Sequence, residues 1–127
     1  MTTEGLRTAL ADFNNGDAFF DHLADDVTVE FPYGPTLGLP ARIDGKPAVR
    51  RHLAAVQAGG LTVGEPTIEQ VTPSRYLAEY TGTYRTSNGA AVDVPLVAII
   101  DHDATGIHRI REYWDTYLLA TLATRAQ

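Results

Sequence analysis

The segment best suited to chemistry lies near the C-terminus, where residues 107–115 read IHRIREYWD. The pattern predicts a β-strand, and successive side chains on a strand point to opposite faces. Glu112 therefore shares a face with Ile110 and Trp114. A carboxyl group flanked by Ile and Trp on a concave face loses hydration, which raises its pKa. Such a group can act as a general acid, or as a general base near neutral pH.

A structural role for Glu112 is the alternative. On an adjoining strand, Arg85 or Arg75 could form an ion pair with the carboxylate. Spacing alone favours this structural role over a catalytic one.

Two further groups are candidate partners of Glu112. Tyr76, Tyr80 and Tyr84 fall on one face of a predicted strand, where they could form an aromatic wall with phenolic donors. They could equally pack against a helix or a neighbouring subunit. His52 lies beside the apolar stripe of a predicted helix, either at a pocket rim or in solvent.

The sequence does not offer the residues or motifs that other common catalytic chemistries require. The chain has no cysteine, and its four histidines match no metal-ligand spacing. The serines, Ser74 and Ser87, lie in predicted turns without nucleophile-elbow glycines. The glycines do not form a phosphate-binding loop. We therefore expect neither a metal nor a cofactor.

Composition limits the class of protein. The 127 residues carry a formal net charge of −6, which argues against nucleic-acid or anionic-membrane partners. The length suits a single domain over residues 1–127. The first ten residues lack the apolar core of a signal peptide, and no apolar run is long enough to cross a bilayer. We expect a soluble, cytoplasmic protein.

The elements are predicted to be helices followed by strands. Helical spacing is found from Leu6 to Phe13, in a second short helix from Asp17, and in a third after Pro47. The predicted strands cover residues 27–33, a segment broken by Pro66 that runs to about 72, and residues 76–85, 91–101 and 107–117. Asn88-Gly89 predicts a type I′ hairpin turn. This order predicts an α+β fold, with N-terminal helices against a strongly curved, mostly antiparallel sheet that forms a cone-shaped barrel with a pocket inside.

The order of several short motifs resembles that of SnoaL-like proteins, which belong to the nuclear transport factor 2-like superfamily. The motifs are Gly16-Asp17, ADDVTVE at 24–30, FPYG at 31–34, IDGK at 43–46 and REYWD at 111–115. The resemblance covers nearly the whole chain. It implies a cone-shaped α+β barrel, a hydrophobic pocket and a homodimer formed through the outer sheet face.

The resemblance also allows the catalytic positions of two known mechanisms of the superfamily to be compared with the residues of this sequence. The ketosteroid-isomerase Tyr and Asp positions fall at Ala9, Phe31 and Leu96, which cannot move a proton, so that mechanism is excluded. The Arg and Asp of limonene-epoxide-type hydrolases fall at Glu79 and Thr81, which reverses the first charge and removes the second.

The acidic position that several sub-families share falls at Glu112. It matches the remaining acid of the epoxide hydrolases, the acid of SnoaL-type cyclases and that of phenazine-biosynthesis A/B proteins. The histidine that partners the cyclase acid falls near Pro95, so it is missing here. The resemblance therefore favours a functional Glu112 over the structural role.

The sequence thus predicts a cofactor-independent enzyme for a hydrophobic small molecule, of the cyclase, isomerase, dehydratase or condensation type, with Glu112 as the catalytic group. The expected substrate-binding residues are Phe31, Tyr33, His52, Tyr80 and Trp114. A non-catalytic protein that binds a hydrophobic ligand is one alternative, and a limonene-epoxide-type hydrolase is another.

Overall fold

The structure, a computed structural model, describes residues 1–125. Its helices are α1 (Thr3–Ala11), α2 (Lys46–Ala58) and α3 (Thr116–Arg125). Two 3₁₀ segments lie at Asp12–His22, which a kink at Asn15 and Gly16 divides into two helices, and at Gly34–Leu37. The strands are β1 (Leu23–Glu30), β2 (Arg42–Asp44), β3 (Thr62–Val63), β4 (Thr67–Thr72), β5 (Arg75–Arg85), β6 (Ala91–Asp103) and β7 (Gly106–Trp114).

All described strands join one curled, unclosed sheet in the order β2-β1-β7-β6-β5-β3, and β4 also pairs with β5. Only the pairing of β1 with β7 is parallel, and the other pairs are antiparallel. The predicted α+β class and the curved, mostly antiparallel sheet are confirmed. The long strands β5, β6 and β7 carry alternate side chains inward, which sets the positions of the candidate site.

The helices cover the concave face of this sheet. Thr2 caps α1 by accepting a hydrogen bond from the Gly5 N–H at 3.0 Å, and Leu6, Ala9 and Leu10 are buried. Val49 and Leu53 are the buried residues of α2. The amphipathic spacing of both helices therefore determines which face packs on the sheet.

The chain leaves the first strand earlier than its alternation predicts. Strand β1 ends at Glu30 rather than at Tyr33. Pro32 has no N–H to continue a ladder, and the Phe31 N–H instead donates to the Ala41 carbonyl at 2.8 Å. Phe31 still points into the core, but Tyr33 no longer follows the same alternation.

Three other expectations are corrected. The hairpin after β5 is not a type I′ turn, because Gly89 has φ +84° while no non-glycine residue among those described has a positive φ. The Gly89 N–H donates to the Thr86 carbonyl, and the Thr86 N–H to the Ala90 carbonyl, which makes a longer loop. Strand β2 was not predicted. Strand β7 ends at Trp114, and the ordered helix α3 begins two residues later.

Candidate functional site

Two adjoining cavities lie between the helices and the concave face of the sheet. The larger, called here the vestibule, has a volume of about 320 Å³. It is lined by Phe31, Leu37, Leu39, His52, Val56, Leu61, Tyr84, Glu112, Trp114 and Leu119. The smaller, called the inner cavity, has a volume of about 40 Å³. It is lined by Leu10, Phe13, Phe19, Val29, Leu53, Leu61, Val63, Tyr80, Gly82, Tyr84, Leu96, Ile110 and Glu112.

Glu112 lies where the two cavities meet, since it lines both of them. The register of the sheet places it opposite Ala98 on β6, whose side chain is small and fully buried. The Glu112 side chain is half-buried, and its accessible surface faces the cavities. Strand alternation therefore directs the one carboxyl group among the lining residues into an apolar space.

No arginine neutralises Glu112 among the described residues. Arg75 instead binds Asp101, with its Nε donating to Oδ1 at 2.6 Å and Nη2 to Oδ2 at 3.0 Å. Arg85 contacts the Gly89 carbonyl at the hairpin loop. The ion pair considered in the sequence analysis is therefore not formed with either arginine.

The hydrogen-bond donor to Glu112 is the indole of Trp114. The Trp114 Nε1–H donates to Glu112 Oε2 at 2.8 Å. The indole is held in turn by Phe31, with ring centroids 4.9 Å apart, and Phe31 packs against His52 at 5.5 Å. One carboxyl oxygen is thus engaged, and Oε1 is left for a ligand.

Burial raises the pKa of Glu112 above its ordinary value, and the Trp114 hydrogen bond offsets part of that rise. Burial alone lowers the pKa of His52. Both shifts favour the uncharged forms. Neither Lys nor Arg lines the vestibule, so no cation there opposes the rise in the pKa of Glu112.

Two phenols lie near the carboxyl group. Burial raises the pKa of Tyr84 to about 12, and the Glu112 charge adds to this rise. The pKa of Tyr80 is raised well above its ordinary value, first by burial and then by Glu112 and Tyr84. Both phenols remain protonated at neutral pH, so both can donate hydrogen bonds toward the cavities.

The structure brings together most of the residues predicted for the site. Phe31, His52 and Trp114 line the vestibule, and Tyr80 lines the inner cavity. Tyr33 does not line either cavity: it is 51% exposed and packs against Tyr113 on the opposite side of the sheet, so we exclude it from the site.

Several lining residues are not indicated as site residues by the sequence. Tyr84 was noted for its spacing only, and it shares a face with Tyr80 because the two are four residues apart on β5. Leu61, Leu119 and the 3₁₀ segment at 34–37 come from separate parts of the chain. No local pattern could have indicated that they meet at one vestibule.

The structure also shows where Glu79 and Thr81 lie, the residues at the positions of the epoxide-hydrolase Arg and Asp. Glu79 is exposed and Thr81 half-buried, and they alternate with the inward Ala78, Tyr80 and Gly82. Pro95 is exposed between the buried Val94 and Leu96. The polar partners that epoxide hydrolases and SnoaL-type cyclases place beside their acid therefore have no counterpart at these positions in the cavity.

Within residues 1–125, no group of three or more His, Cys, Asp or Glu side chains could hold a metal ion. No described helix has the length and apolar character that crossing a membrane requires.

Comparisons with known proteins identify the fold. No protein-family model matches the chain, and no curated protein matches it either. Among solved structures, a nuclear transport factor 2-like protein of Burkholderia pseudomallei has a TM-score of 0.82 at 19% identity, covering 98% of this chain and 99% of that one. A Bacillus subtilis protein named "putative isomerase" has a TM-score of 0.82 at 23% identity, covering 98% and 92%.

A Xanthomonas campestris protein named "putative polyketide cyclase" has a TM-score of 0.74 at 25% identity, covering 98% of this chain and 96% of that one. The chain therefore has the nuclear transport factor 2-like fold, as its resemblance to SnoaL-like proteins implies. The site that this fold carries here is an apolar cavity with a single carboxyl group.

The indole hydrogen bond gives a direct prediction for Trp114→Phe. The N–H stabilises the charged carboxylate, so its loss should raise the pKa of Glu112 further, by about one to two units, the cost of one hydrogen bond to a charged group. A ¹³C NMR titration of the side-chain carboxyl group measures this shift.

Tyr113→Phe is the matched control for that titration. Tyr113 neighbours Glu112 in sequence but packs against Tyr33, away from the cavities. Its variant should leave the Glu112 titration unchanged. An unchanged titration in Trp114→Phe would show that the indole does not tune the carboxyl group.

Proposed function

We propose that the protein is a cofactor-independent enzyme that uses Glu112 as a general acid/base on an uncharged, largely apolar small molecule. The observation that supports this most strongly is the position of Glu112. It is a carboxyl group without a cationic partner among the described residues, at the junction of two apolar cavities, with one oxygen held by an indole N–H. Perturbed carboxyl groups in apolar pockets are typical of acid/base sites.

The vestibule favours a neutral ligand that contains an aromatic or alicyclic ring. Its volume of about 320 Å³ is at the lower end of the range for small-molecule pockets. The rings of Phe31, Trp114 and Tyr84 offer flat apolar faces. A ligand carboxylate or phosphate would find no cation among the lining residues and would be repelled by Glu112.

The chemistry that suits this site is proton transfer next to a carbonyl group. Glu112 Oε1 takes a proton from the carbon beside the carbonyl, and the electron pair of that C–H bond forms the enolate. The Tyr84 hydroxyl can donate a hydrogen bond to the enolate oxygen. Glu112 then returns its proton to another atom of the same molecule, which regenerates the carboxylate. Isomerisation follows directly, and cyclisation, dehydration and condensation begin with the same enolate.

The names of two structurally similar proteins support this range of reactions without choosing among them. One is named "putative isomerase" and the other "putative polyketide cyclase", and both names belong to those proteins. The vestibule walls would hold a flexible substrate in a folded conformation. This positioning would add to the rate enhancement that the acid/base supplies.

A binding protein without catalysis is the second candidate. It is favoured by the absence of a second ionisable group, other than His52 and the two phenols, among the described lining residues. The epoxide-hydrolase candidate is weakened, because Glu79 and Thr81 alternate with the residues that face the cavity.

Native mass spectrometry of the freshly purified protein separates the first two candidates. We expect a neutral apolar compound to copurify, and incubation with excess protein to convert it into an isomer or a dehydrated product. Recovery of the same compound unchanged after long incubation would favour the binding protein, since both candidates allow Glu112→Gln to keep its affinity. Copurification of a phosphorylated or carboxylated compound would contradict the proposed substrate class.

A further inference from the structure

The inner cavity differs from the vestibule in size and in the polar atoms that reach it. Its volume of about 40 Å³ is far below what an organic ligand needs. It is large enough for a water molecule, which requires roughly 10–15 Å³ of such volume. The inner cavity is therefore not a second substrate pocket.

Three oxygen atoms in its wall have no hydrogen-bond partner in the described part of the chain. They are Tyr80 Oη, Tyr84 Oη and Glu112 Oε1, since the hydrogen bond to Glu112 engages Oε2 and neither tyrosine hydroxyl is bonded. Among the described residues, the side-chain atoms that are both fully enclosed and unpartnered are the two ring nitrogens of His102, so these three oxygens retain some accessible surface.

Polar groups that burial shields from most of the solvent are rarely left without a hydrogen-bond partner, and ordered water is one of the usual partners. Purely apolar cavities stay dry, whereas a buried water typically makes about three hydrogen bonds to polar groups. Glu112, Tyr80 and Tyr84 all line the same cavity of about 40 Å³, so their oxygens surround one small space. The inner cavity thus satisfies the requirements in both volume and partners.

We propose that the inner cavity is a water-binding site, in which a water molecule donates to Glu112 Oε1 and to Tyr84 Oη and accepts a hydrogen bond from the Tyr80 hydroxyl group, so that the Tyr84 O–H stays available to the ligand. Glu112 would then face an ordered water on one side and the organic ligand on the other. A catalytic role for this water rests on the proposed function, because Glu112 Oε1, which accepts the hydrogen bond from the water, is also the proposed acid/base.

A high-resolution crystal structure of the full protein tests the site directly. We expect a water peak within hydrogen-bond distance of Glu112 Oε1 and of at least one of the two phenolic oxygens. An inner cavity without density, in a map that shows other buried waters, would overturn the proposal.

Gly82→Ala tests the site in solution, because Gly82 lines the inner cavity and an added Cβ would lie 3.2 Å from Leu61 Cδ1, the tip of a flexible side chain. The methyl group should displace the water, and the pKa of Glu112 measured by ¹³C NMR should rise by about one to two units, as expected for one lost hydrogen bond to a charged group. An unchanged pKa would contradict the proposal.

Gly64→Ala is the control, since its Cβ would make only an ordinary contact, 3.6 Å from the Thr81 carbonyl oxygen, and Gly64 does not line the inner cavity. Should Gly82→Ala fail to fold, Tyr80→Phe preserves the packing volume and removes one partner, and it should lower the occupancy of the water. These measurements do not use turnover, so the water site and the proposed enzymatic activity can fail separately.

Discussion

Glu112→Gln is expected to lower the turnover of the true substrate by about 10²- to 10⁴-fold, the usual contribution of one positioned general acid/base. The amide keeps the shape of the carboxyl group and can still accept the Trp114 N–H, so ligand affinity should change little. The measurement is kcat on the compound identified by mass spectrometry, with affinity determined separately by calorimetry. Unchanged kcat would show that Glu112 is not the acid/base.

Asp115→Asn controls for the loss of a negative charge near the C-terminal end of β7. Asp115 follows the strand, is exposed, and does not line the vestibule or the inner cavity. This variant should keep the wild-type kcat. A comparable loss in both variants would indicate a general electrostatic effect rather than proton transfer.

The same Glu112→Gln variant has an expected signature in stability that does not depend on a substrate. Burial raises the pKa of Glu112 in the folded state, so between its unfolded and folded pKa the folded state binds more protons. The free energy of unfolding of the wild type should therefore fall as the pH rises through that window and then become constant. The Gln variant should lack this fall, and urea unfolding at several pH values would measure the difference.

Phe31→Ala is expected to lower the free energy of unfolding by about 3–5 kcal/mol, the usual cost of truncating a buried phenylalanine. Phe31 is 3% exposed, and its ring contacts both Trp114 and His52. The loss is a large part of the roughly 5–15 kcal/mol that stabilises an ordinary domain. Urea unfolding followed by circular dichroism measures it.

Phe31→Ala should also release the indole that holds Glu112. Trp114 is the only tryptophan, so its fluorescence reports on the site alone, and it should shift to longer wavelength as water reaches the ring. Phe31→Leu retains most of the volume and should cost far less. A loss below about 1 kcal/mol in Phe31→Ala would show that this aromatic cluster is not part of the packed core.

The sequence determined much of the architecture, because the relevant forces are local and periodic. Helical spacing predicted α1 and α2, and alternation predicted the long strands that follow. The same alternation placed Glu112 on one face with Ile110 and Trp114, since the side-chain period of a strand does not depend on tertiary context. Pro32 indicated that this first strand could not continue its ladder, although the predicted strand extended to Tyr33 and β1 ends at Glu30.

Only the tertiary structure decided whether Glu112 has a cationic partner. Arg75 was a reasonable candidate by spacing, but the pairing of β5 with β6 places it beside Asp101. The pairing of β6 with β7 places the small Ala98 opposite Glu112. Register joins residues far apart in the chain, and single-strand periodicity contains no information about it.

The cavities depended on tertiary structure for the same reason. The vestibule wall combines Phe31, His52 and Tyr84 with Leu119 of helix α3, which come from four regions of the chain. Each of these side chains belongs to a segment whose apolar or amphipathic pattern is ordinary. A cavity is the space that remains when several elements pack, so its volume, its lack of a lysine or arginine and the carboxyl group between its two parts become definite only when the sheet curls around the helices.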